Sequence, residues 1–277
     1  LFVSHSQASK ERITIGGKSL KEISDALKAN HGLSSMCRSY TTSPECVYGE
    51  HPDVLLWGDS FAMHLAGALK GSPTNMAFVQ MTQSACAPIL GVAIYKLPRH
   101  NVKWGQRCIR HNDDVFEWLK RQPNIKVVVM SSRFIQLHGD LSLRNGRLDS
   151  SSEYGEVAMM ETLKKIKAMG KYPVVVSPTP GSGYDLGQCL SKKSVLGRPL
   201  SECDYPLSQD DTSAELRGRL RRVADLSGAG FIDLAELLCP DDMCVSQMEG
   251  AFLYRDKHHL SIEGSLVFGR YSDLAGK

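Results

Sequence analysis

Long apolar runs are missing from this sequence of 277 residues. A helix needs about 20 consecutive apolar residues to cross a bilayer, and no stretch of the sequence approaches that length. No secretory signal stands at its start either. Because the opening residues Leu1-Phe2-Val3-Ser4 are typical of a cut inside a longer protein, we expect that a targeting or membrane segment lies upstream of residue 1.

A strong excess of charge of one sign is also absent, because the net charge is +3 and the sequence pI is about 8.4. Aromatic residues make up only 7% of the chain and do not alternate with a stripe of Lys and Arg. We therefore exclude nucleic acid as a partner. The densest basic cluster is interpreted as a solvated helix face rather than a polyanion site; it consists of Arg217, Arg219, Arg221 and Arg222.

Cysteine, in contrast, is plentiful, and the eight cysteines could form disulfides, bind zinc or remain free thiols. Zinc requires closely spaced cysteines or paired histidines, and only Cys239 and Cys244 approach that spacing. Eight free thiols would be unusual in a single chain. We therefore predict disulfides and an oxidising compartment such as a periplasm. Although eight cysteines allow about 105 pairings, sequential neighbours are the simplest choice: Cys37–Cys46, Cys86–Cys108, Cys189–Cys203 and Cys239–Cys244.

Five short apolar runs alternate with helical patterns along most of the chain. This alternation is typical of an α/β fold, and it predicts a five-stranded parallel sheet with helices on both faces. The predicted strands are residues 54–57, 77–80, 126–130, 173–176 and 230–234, and the predicted helices are residues 62–70, 112–121, 154–169, 213–226 and a last one from about 261.

The first fifty residues are polar and irregular compared with the rest. We predict that residues 1–50 form an N-terminal extension or linker with one short helix, Ser19–Asn30. The core domain is predicted to span residues 51–277. It contains two long predicted loops, residues 81–108 and 178–211, and loops of this length in a compact domain are usually functional.

The sequence Trp57-Gly58-Asp59-Ser60 lies where the first core strand should turn into the first core helix. Ligands of open α/β folds bind at the carboxyl ends of the strands, so Ser60 is a candidate nucleophile. The N–H groups at the start of the following helix would favour a developing oxyanion. Alternatively, Ser60 and Asp59 are simply helix-capping residues, because both types are favoured caps.

A candidate base lies near the other end, in the sequence Asp256-Lys257-His258-His259. A hydroxyl that attacks a carbonyl needs a base with a pKa near neutrality, and histidine supplies it. Asp256 can reach across one turn to orient the imidazole of His259. His258 is the alternative base. Because this stretch follows the last predicted strand, we expect it at the same sheet edge as Ser60.

These two motifs together resemble the SGNH (GDSL-like) hydrolase superfamily. They look closest to the SGNH domains that are fused to acyltransferase-3 membrane proteins, which O-acetylate bacterial surface polysaccharides. The resemblance covers about residues 37–277. The segments 56–60, 63–65 and 256–261 carry the resemblance, and residues 83–88 and 128–133 resemble the family less closely.

The resemblance implies a flavodoxin-like SGNH hydrolase fold and a catalytic domain over residues 51–277. It implies an acyl-serine mechanism with Ser60, Asp256 and His259 and with no metal or cofactor. It also implies a polysaccharide acceptor such as lipopolysaccharide O-antigen, and an acyl donor delivered by a fused or partner acyltransferase-3 membrane domain. The chain would then be the periplasmic domain of an inner-membrane protein.

The chain departs from the family pattern in two respects. Phe61 follows the serine where many relatives have histidine. The separate Gly and Asn oxyanion donors of the superfamily have no obvious counterparts, because no G-x-N-D follows the third strand. Arg133 and Gly91 are candidate substitutes beside the N–H of Ser60. Further candidate substrate-binding residues are His64, Trp104 and His258.

Three functional hypotheses remain open at this stage. The first is a polysaccharide O-acyltransferase domain, with acetyl as the expected acyl group. The second is a stand-alone secreted esterase that acts on carbohydrate or lipid. The third is a carbohydrate-binding module with an inactive triad, against which the presence of all three triad residue types counts.

Overall fold

Apolar runs, several of them rich in valine, form the parallel strands of one central sheet. The computed structural model describes residues 14–15, 18–38, 43–74, 76–210 and 214–276. Five strands are parallel, as the sequence predicts, and a two-residue strand adds an antiparallel edge. The sheet order is β6-β5-β4-β2-β3-β1. The strands are β1 Val47–Tyr48, β2 Val54–Gly58, β3 Phe78–Thr82, β4 Val127–Ser131, β5 Tyr172–Val176 and β6 Gly230–Ile232.

The register of the three central strands brings their carboxyl ends to one level. Gly58 at the end of β2 pairs with Thr82 of β3 on one side and with Ser131 of β4 on the other. All fifteen residues of these three strands are buried. A residue that directly follows any of these strands therefore lies at the same edge of the sheet, where open α/β folds bind their ligands.

Helices cover both faces of the sheet and bury its alternating side chains. One face, with Leu56 and Val129, packs against α2 and α8, and the other, with Trp57 and Met130, packs against α3, α4 and α6. The helices are α1 Leu20–Ala26, α2 Ser60–Gly71, α3 Val102–Lys120, α4 Ser152–Ala168, α5 Leu186–Val195, α6 Ala214–Ser227, α7 Leu234–Leu238 and α8 Ile262–Gly269. No helix in the described stretches is long and apolar enough to cross a membrane.

The connecting loops contain short antiparallel strands and 3₁₀ turns. Antiparallel pairs join Thr14–Ile15 to Lys18–Ser19, Tyr205–Pro206 to Met243–Cys244 and Gln247–Met248 to Ala251–Phe252, and a three-stranded ribbon joins Val92–Ile94, Leu141–Leu143 and Leu148–Asp149. The 3₁₀ turns are Ser35–Arg38, Pro44–Cys46, Ile135–His138, Leu200–Cys203, Leu207–Gln209 and Pro240–Asp242.

Both long predicted loops contain helices or strands that the sequence pattern did not predict. The first holds Val92–Ile94 and the beginning of α3, whose buried face there consists of Gly105 and Cys108 rather than large apolar residues. The second holds α5, whose second residue is Gly187. A Cβ at Gly187 would lie 2.1 Å from the carbonyl oxygen of Arg255, so close packing rather than a turn explains this glycine.

All eight cysteines form disulfides, and they pair as sequential neighbours, as predicted. This pairing leaves no thiolate for zinc. The four arginines of the basic cluster all contact carboxylates: Arg217 pairs with Asp210, Arg219 and Arg222 pair with Glu156, and Arg221 pairs with Glu236.

The described part of the N-terminal extension packs onto the core. Helix α1 contacts α5, and β1 extends the central sheet beside β3. The Asn30 side chain donates hydrogen bonds to the carbonyl oxygens of Leu260 and Ser261 at 3.4 and 3.1 Å. The N-terminal segment is thus attached to the stretch that contains His259, whereas a domain boundary at residue 50 stays a prediction.

His111 on α3 makes stability sensitive to acid. Its side chain is 5% exposed, and burial lowers its pKa from 6.5 to about 4. As the pH falls through this interval, the unfolded chain binds a proton that the folded chain does not. The contribution of His111 to the free energy of unfolding is thus complete above pH 6.5 and is lost as the pH falls through about 4. The total loss from this group is about 3 kcal/mol.

We expect urea unfolding at a series of pH values to reveal this loss. His111→Leu removes this part of the pH dependence, because no proton can then bind at that position. His51→Leu changes an exposed imidazole and serves as the control. A His111→Leu profile parallel to that of the wild type would contradict the assignment.

Candidate active site

Ser60 is the first residue of α2 and directly follows the turn at the end of β2. The Asp59 carboxylate caps the helix by accepting a hydrogen bond from the Phe61 N–H at 2.8 Å. At a helix start the first N–H groups have no intrahelical partner. Because the Phe61 N–H is occupied by Asp59, the N–H of Ser60 is the group available to stabilise negative charge beside the hydroxyl.

Asp59 also joins this turn to the end of β4. Its second carboxylate oxygen accepts hydrogen bonds from Ser132 Oγ at 2.7 Å and from the Arg133 N–H at 3.4 Å. Burial raises the pKa of Asp59, and its hydrogen bonds partly oppose that effect. The fully buried carboxyl therefore fixes the position of the Ser60 turn rather than facing a substrate.

Ser60, His259 and Asp256 form a continuous chain of hydrogen bonds. Ser60 Oγ lies 2.9 Å from His259 Nε2, and His259 Nδ1 lies 2.9 Å from Asp256 Oδ2. The carboxylate requires the imidazole proton on Nδ1, which leaves Nε2 as the acceptor for the serine hydroxyl. This arrangement can remove the hydroxyl proton as the oxygen attacks a carbonyl.

The electrostatic surroundings keep Asp256 ionised. Burial acts to raise its pKa, but the hydrogen bond and charge of His259 outweigh that effect and hold the pKa well below its usual range. The backbone N–H groups of His258 and His259 add hydrogen bonds at 2.9 and 2.8 Å. The carboxylate is therefore charged and oriented at any pH where His259 can act as a base.

His64 lies behind the imidazole of His259 and is only 1% exposed. The two rings meet edge to face with centroids 5.7 Å apart, and Phe61 lies 5.1 Å from the His259 ring. The Leu260 N–H donates to His64 Nδ1 at 3.3 Å. Burial, and then the charges of His259 and Arg255, lower the pKa of His64 well below its usual value. His64 is thus a neutral ring that packs against His259 and supports it.

The other residues that the sequence suggested for oxyanion or substrate binding lie in different places. Arg133 is exposed at the end of β4 near Asp59, and the His258 carbonyl accepts a hydrogen bond from the Thr179 hydroxyl. Gly91 instead lines a separate cavity of about 260 Å³ beside α4, and none of the residues that line this cavity belongs to the triad. Trp104 packs on His100 with ring centroids 4.6 Å apart. Their proposed roles stay predictions.

Two contributors were missed by sequence reasoning. Arg255 Nη2 lies 3.1 Å from Asp256 Oδ2, and its only sequence signal is its position directly before that aspartate. The segment 30–38 forms one side of the site through contacts with Leu260, Gln80 and Thr82. No local sequence pattern predicts these contacts. In the described residues, no group of three or more His, Cys, Asp or Glu side chains is arranged to hold a metal ion.

Three solved structures are similar to this chain to different degrees. The periplasmic domain of a lipopolysaccharide acetyltransferase from Salmonella ser. Paratyphi A has a TM-score of 0.65 and 20% identity, over 90% of this chain and 95% of that one. The carbohydrate acetylesterase Est24 from Sinorhizobium meliloti has a TM-score of 0.42 and 13% identity, over 79% and 95%. The aryl esterase of M. smegmatis has a TM-score of 0.46 and 10% identity, over 79% and 94%.

At this level of identity the first of these similarities establishes the fold alone. A search of the curated protein sequences finds no match. The family described as "SGNH domain (fused to AT3 domains)" matches residues 31–271, which is most of the chain. The match begins at the segment that contacts the His259 loop and includes Ser60, Asp256 and His259. The chain therefore belongs to the family of SGNH domains that are fused to AT3 domains.

Proposed function

We propose that this chain is an O-acyltransferase domain that transfers acetyl groups to hydroxyls of a bacterial surface polysaccharide, such as lipopolysaccharide O-antigen. The observation that carries the proposal is the hydrogen-bonded chain from Ser60 through His259 to Asp256. Support comes from the family, whose members are fused to AT3 domains. Further support is the similarity in fold to the periplasmic domain of a lipopolysaccharide acetyltransferase.

The first half-reaction acylates Ser60. His259 Nε2 takes the hydroxyl proton while Ser60 Oγ attacks the acyl carbonyl carbon, and the carbonyl oxygen becomes an oxyanion beside the Ser60 N–H. Asp256 stabilises the imidazolium that results. The oxyanion then collapses, the bond to the leaving group breaks, and His259 gives its proton to that group. The product is acyl-Ser60 with a neutral histidine.

The second half-reaction repeats these steps with the acceptor. His259 takes the proton of a sugar hydroxyl, whose oxygen attacks the acyl-Ser60 carbonyl. Collapse of the second tetrahedral intermediate breaks the bond to Ser60 Oγ, and the serine recovers its proton from His259. Water in place of the sugar would give acetate, so the same residues can act as an esterase.

The partner and location follow from the same proposal. An AT3 membrane domain, fused or separate, would deliver the acyl group to Ser60, and the SGNH domain would lie on the periplasmic side of the inner membrane. The four disulfides fit an oxidising compartment. A stand-alone secreted esterase is the second candidate, because the triad alone does not distinguish sugar from water as the acceptor.

We expect wild-type protein to move acetyl from p-nitrophenyl acetate onto an added O-antigen polysaccharide. The experiment follows p-nitrophenol release, free acetate and sugar-bound acetyl in the same samples. Sugar-bound acetyl supports the transferase, because the acceptor then competes with water for acyl-Ser60. Release of p-nitrophenol with free acetate as the sole product supports the esterase instead, and no release at all leaves the carbohydrate-binding module.

A further inference from the structure

Positive charge is concentrated along one side of the candidate site. The three stretches 31–38, 83–86 and 255–259 contain a single carboxyl side chain, that of Asp256, which is already bound to His259. The same stretches contain three side chains with a permanent positive charge, Arg38, Arg255 and Lys257. We call the group formed by His31, Arg38 and Arg255 the cationic rim.

The two arginines of the rim differ in their contacts. Arg38 Nη2 lies 3.4 Å from Ser84 Oγ, and Ser84 follows β3 at the sheet edge where Ser60 follows β2. No carboxylate contacts Arg38 in the described part of the chain. Arg255 contacts Asp256, and its Nε has no hydrogen-bond partner among the described residues. Arg38 is exposed and therefore retains guanidinium donors for a ligand, whereas Arg255 is held by Asp256.

His31 lies on the same segment as Arg38. Burial, and then the charges of Arg38 and Arg255, lower the pKa of His31. Two other acidic side chains of adjoining elements have hydrogen-bond partners: Glu45 accepts a hydrogen bond from Ser34 at 2.9 Å, and Asp59 accepts one from Ser132 at 2.7 Å. Asp256 balances the charge of Arg255, so the excess positive charge of the rim lies on Arg38.

The backbone that carries the rim is preorganised. Gln80 donates to the His31 carbonyl at 2.9 Å and accepts from the Leu33 N–H at 2.8 Å. Thr82 Oγ1 donates to the Cys37 carbonyl at 2.7 Å, and Cys37 is linked to Cys46. Such a segment loses little conformational freedom when a ligand binds. An arginine that lacks a carboxylate partner, as Arg38 does among the described residues, is suited to bind an anionic group.

We propose that the cationic rim binds an anionic group of the acceptor, the carboxylate or phosphate of an acidic polysaccharide, beside the hydroxyl that is acylated. This inference rests on the proposed function, because it names the class of acceptor for the same site. Arg38 supplies a charge-assisted hydrogen bond outside the triad. It therefore acts on acceptor binding and not on the acylation of Ser60.

Binding to the full chain carrying Ser60→Ala tests the inference without any acyl transfer. Isothermal titration compares a glucuronate-containing tetrasaccharide, its carboxyl-reduced form, and the reduced form bearing one phosphate ester. We expect a charged form to bind about tenfold more tightly than the reduced form, and 1 M salt to weaken that preference. Preference for the carboxylate or for the phosphate identifies which anion the acceptor carries.

Arg38→Gln in the same background should remove most of this preference. Arg121→Gln is the matched control, because Arg121 is an exposed arginine that follows α3 and precedes β4, away from the Ser60 edge. Equal binding of charged and reduced forms, or an equal loss in both variants, would overturn the inference. Failure of acetyl transfer by the wild type, with this preference intact, would count against the proposed function alone.

Discussion

Ser60→Ala is expected to lower kcat/KM for p-nitrophenyl acetate by about 10⁶-fold, the scale seen when a serine nucleophile is removed. The hydroxyl lies 2.9 Å from its base, and no other described serine hydroxyl lies within hydrogen-bond distance of His259 Nε2. The residual rate would come from the remaining oxyanion donors and from substrate binding. Steady-state release of p-nitrophenol, with circular dichroism to confirm folding, measures this effect.

Companion variants distinguish a triad from a single reactive serine. His259→Ala should reduce the rate as severely as Ser60→Ala, and the double variant should be no worse, because the residues act as one unit. Asp256→Asn should cost about one to two orders of magnitude less. Ser208→Ala changes an exposed serine and should retain the wild-type rate. Equal rates for Ser60→Ala and wild type would reject the triad and favour the carbohydrate-binding module.

Gly58→Ala is expected to destabilise the fold by about 4 kcal/mol, at the upper end of the range for point substitutions. A Cβ at this position would lie 1.8 Å from the Ser131 carbonyl oxygen, and the backbone φ is +156°. Because β2 and β4 pair directly here, relief requires the strand ends to separate. That movement displaces Asp59 and Ser60, so activity should fall together with the midpoint of urea unfolding.

Gly218→Ala provides the matched control for that substitution. Gly218 lies inside α6, and no atom lies within 4 Å of the place where its Cβ would stand. Alanine is a better helix former than glycine, so this variant should gain about 0.5–1 kcal/mol. If Gly58→Ala unfolded at the same urea concentration as Gly218→Ala, the close approach of β2 to β4 would not be a structural requirement.

Local patterns account for the parts of the site that the sequence predicted. Ser60 follows a continuous apolar strand and begins a helix, and Asp256 and His259 are separated by a single turn. The parallel sheet then brings both loops to one edge, because successive strands end at the same level. The hydrogen bonds from Ser60 to His259 and from His259 to Asp256 therefore follow from strand order and short spacing.

Contacts between distant residues account for what the sequence did not predict. Helix α5 was missed because Gly187 at its start has the appearance of a turn residue, although it allows close packing on Arg255. The role of segment 30–38 was missed because Gln80 and Thr82 hold it by side-chain contacts to backbone atoms. Such hydrogen bonds depend on tertiary position, and periodicity reports only the local environment.

The bonds between Asn30 and the carbonyls of Leu260 and Ser261 also set an order of events in folding, since these partners are 230 and 231 residues apart. A contact of such high sequence separation forms late, because the intervening chain must be organised first. A nascent chain, made from its N-terminus onward, therefore contains Ser60 long before its histidine exists. The nucleophile acquires its base only after residue 259 has been made, so chains that stop before it cannot transfer acyl groups through the triad.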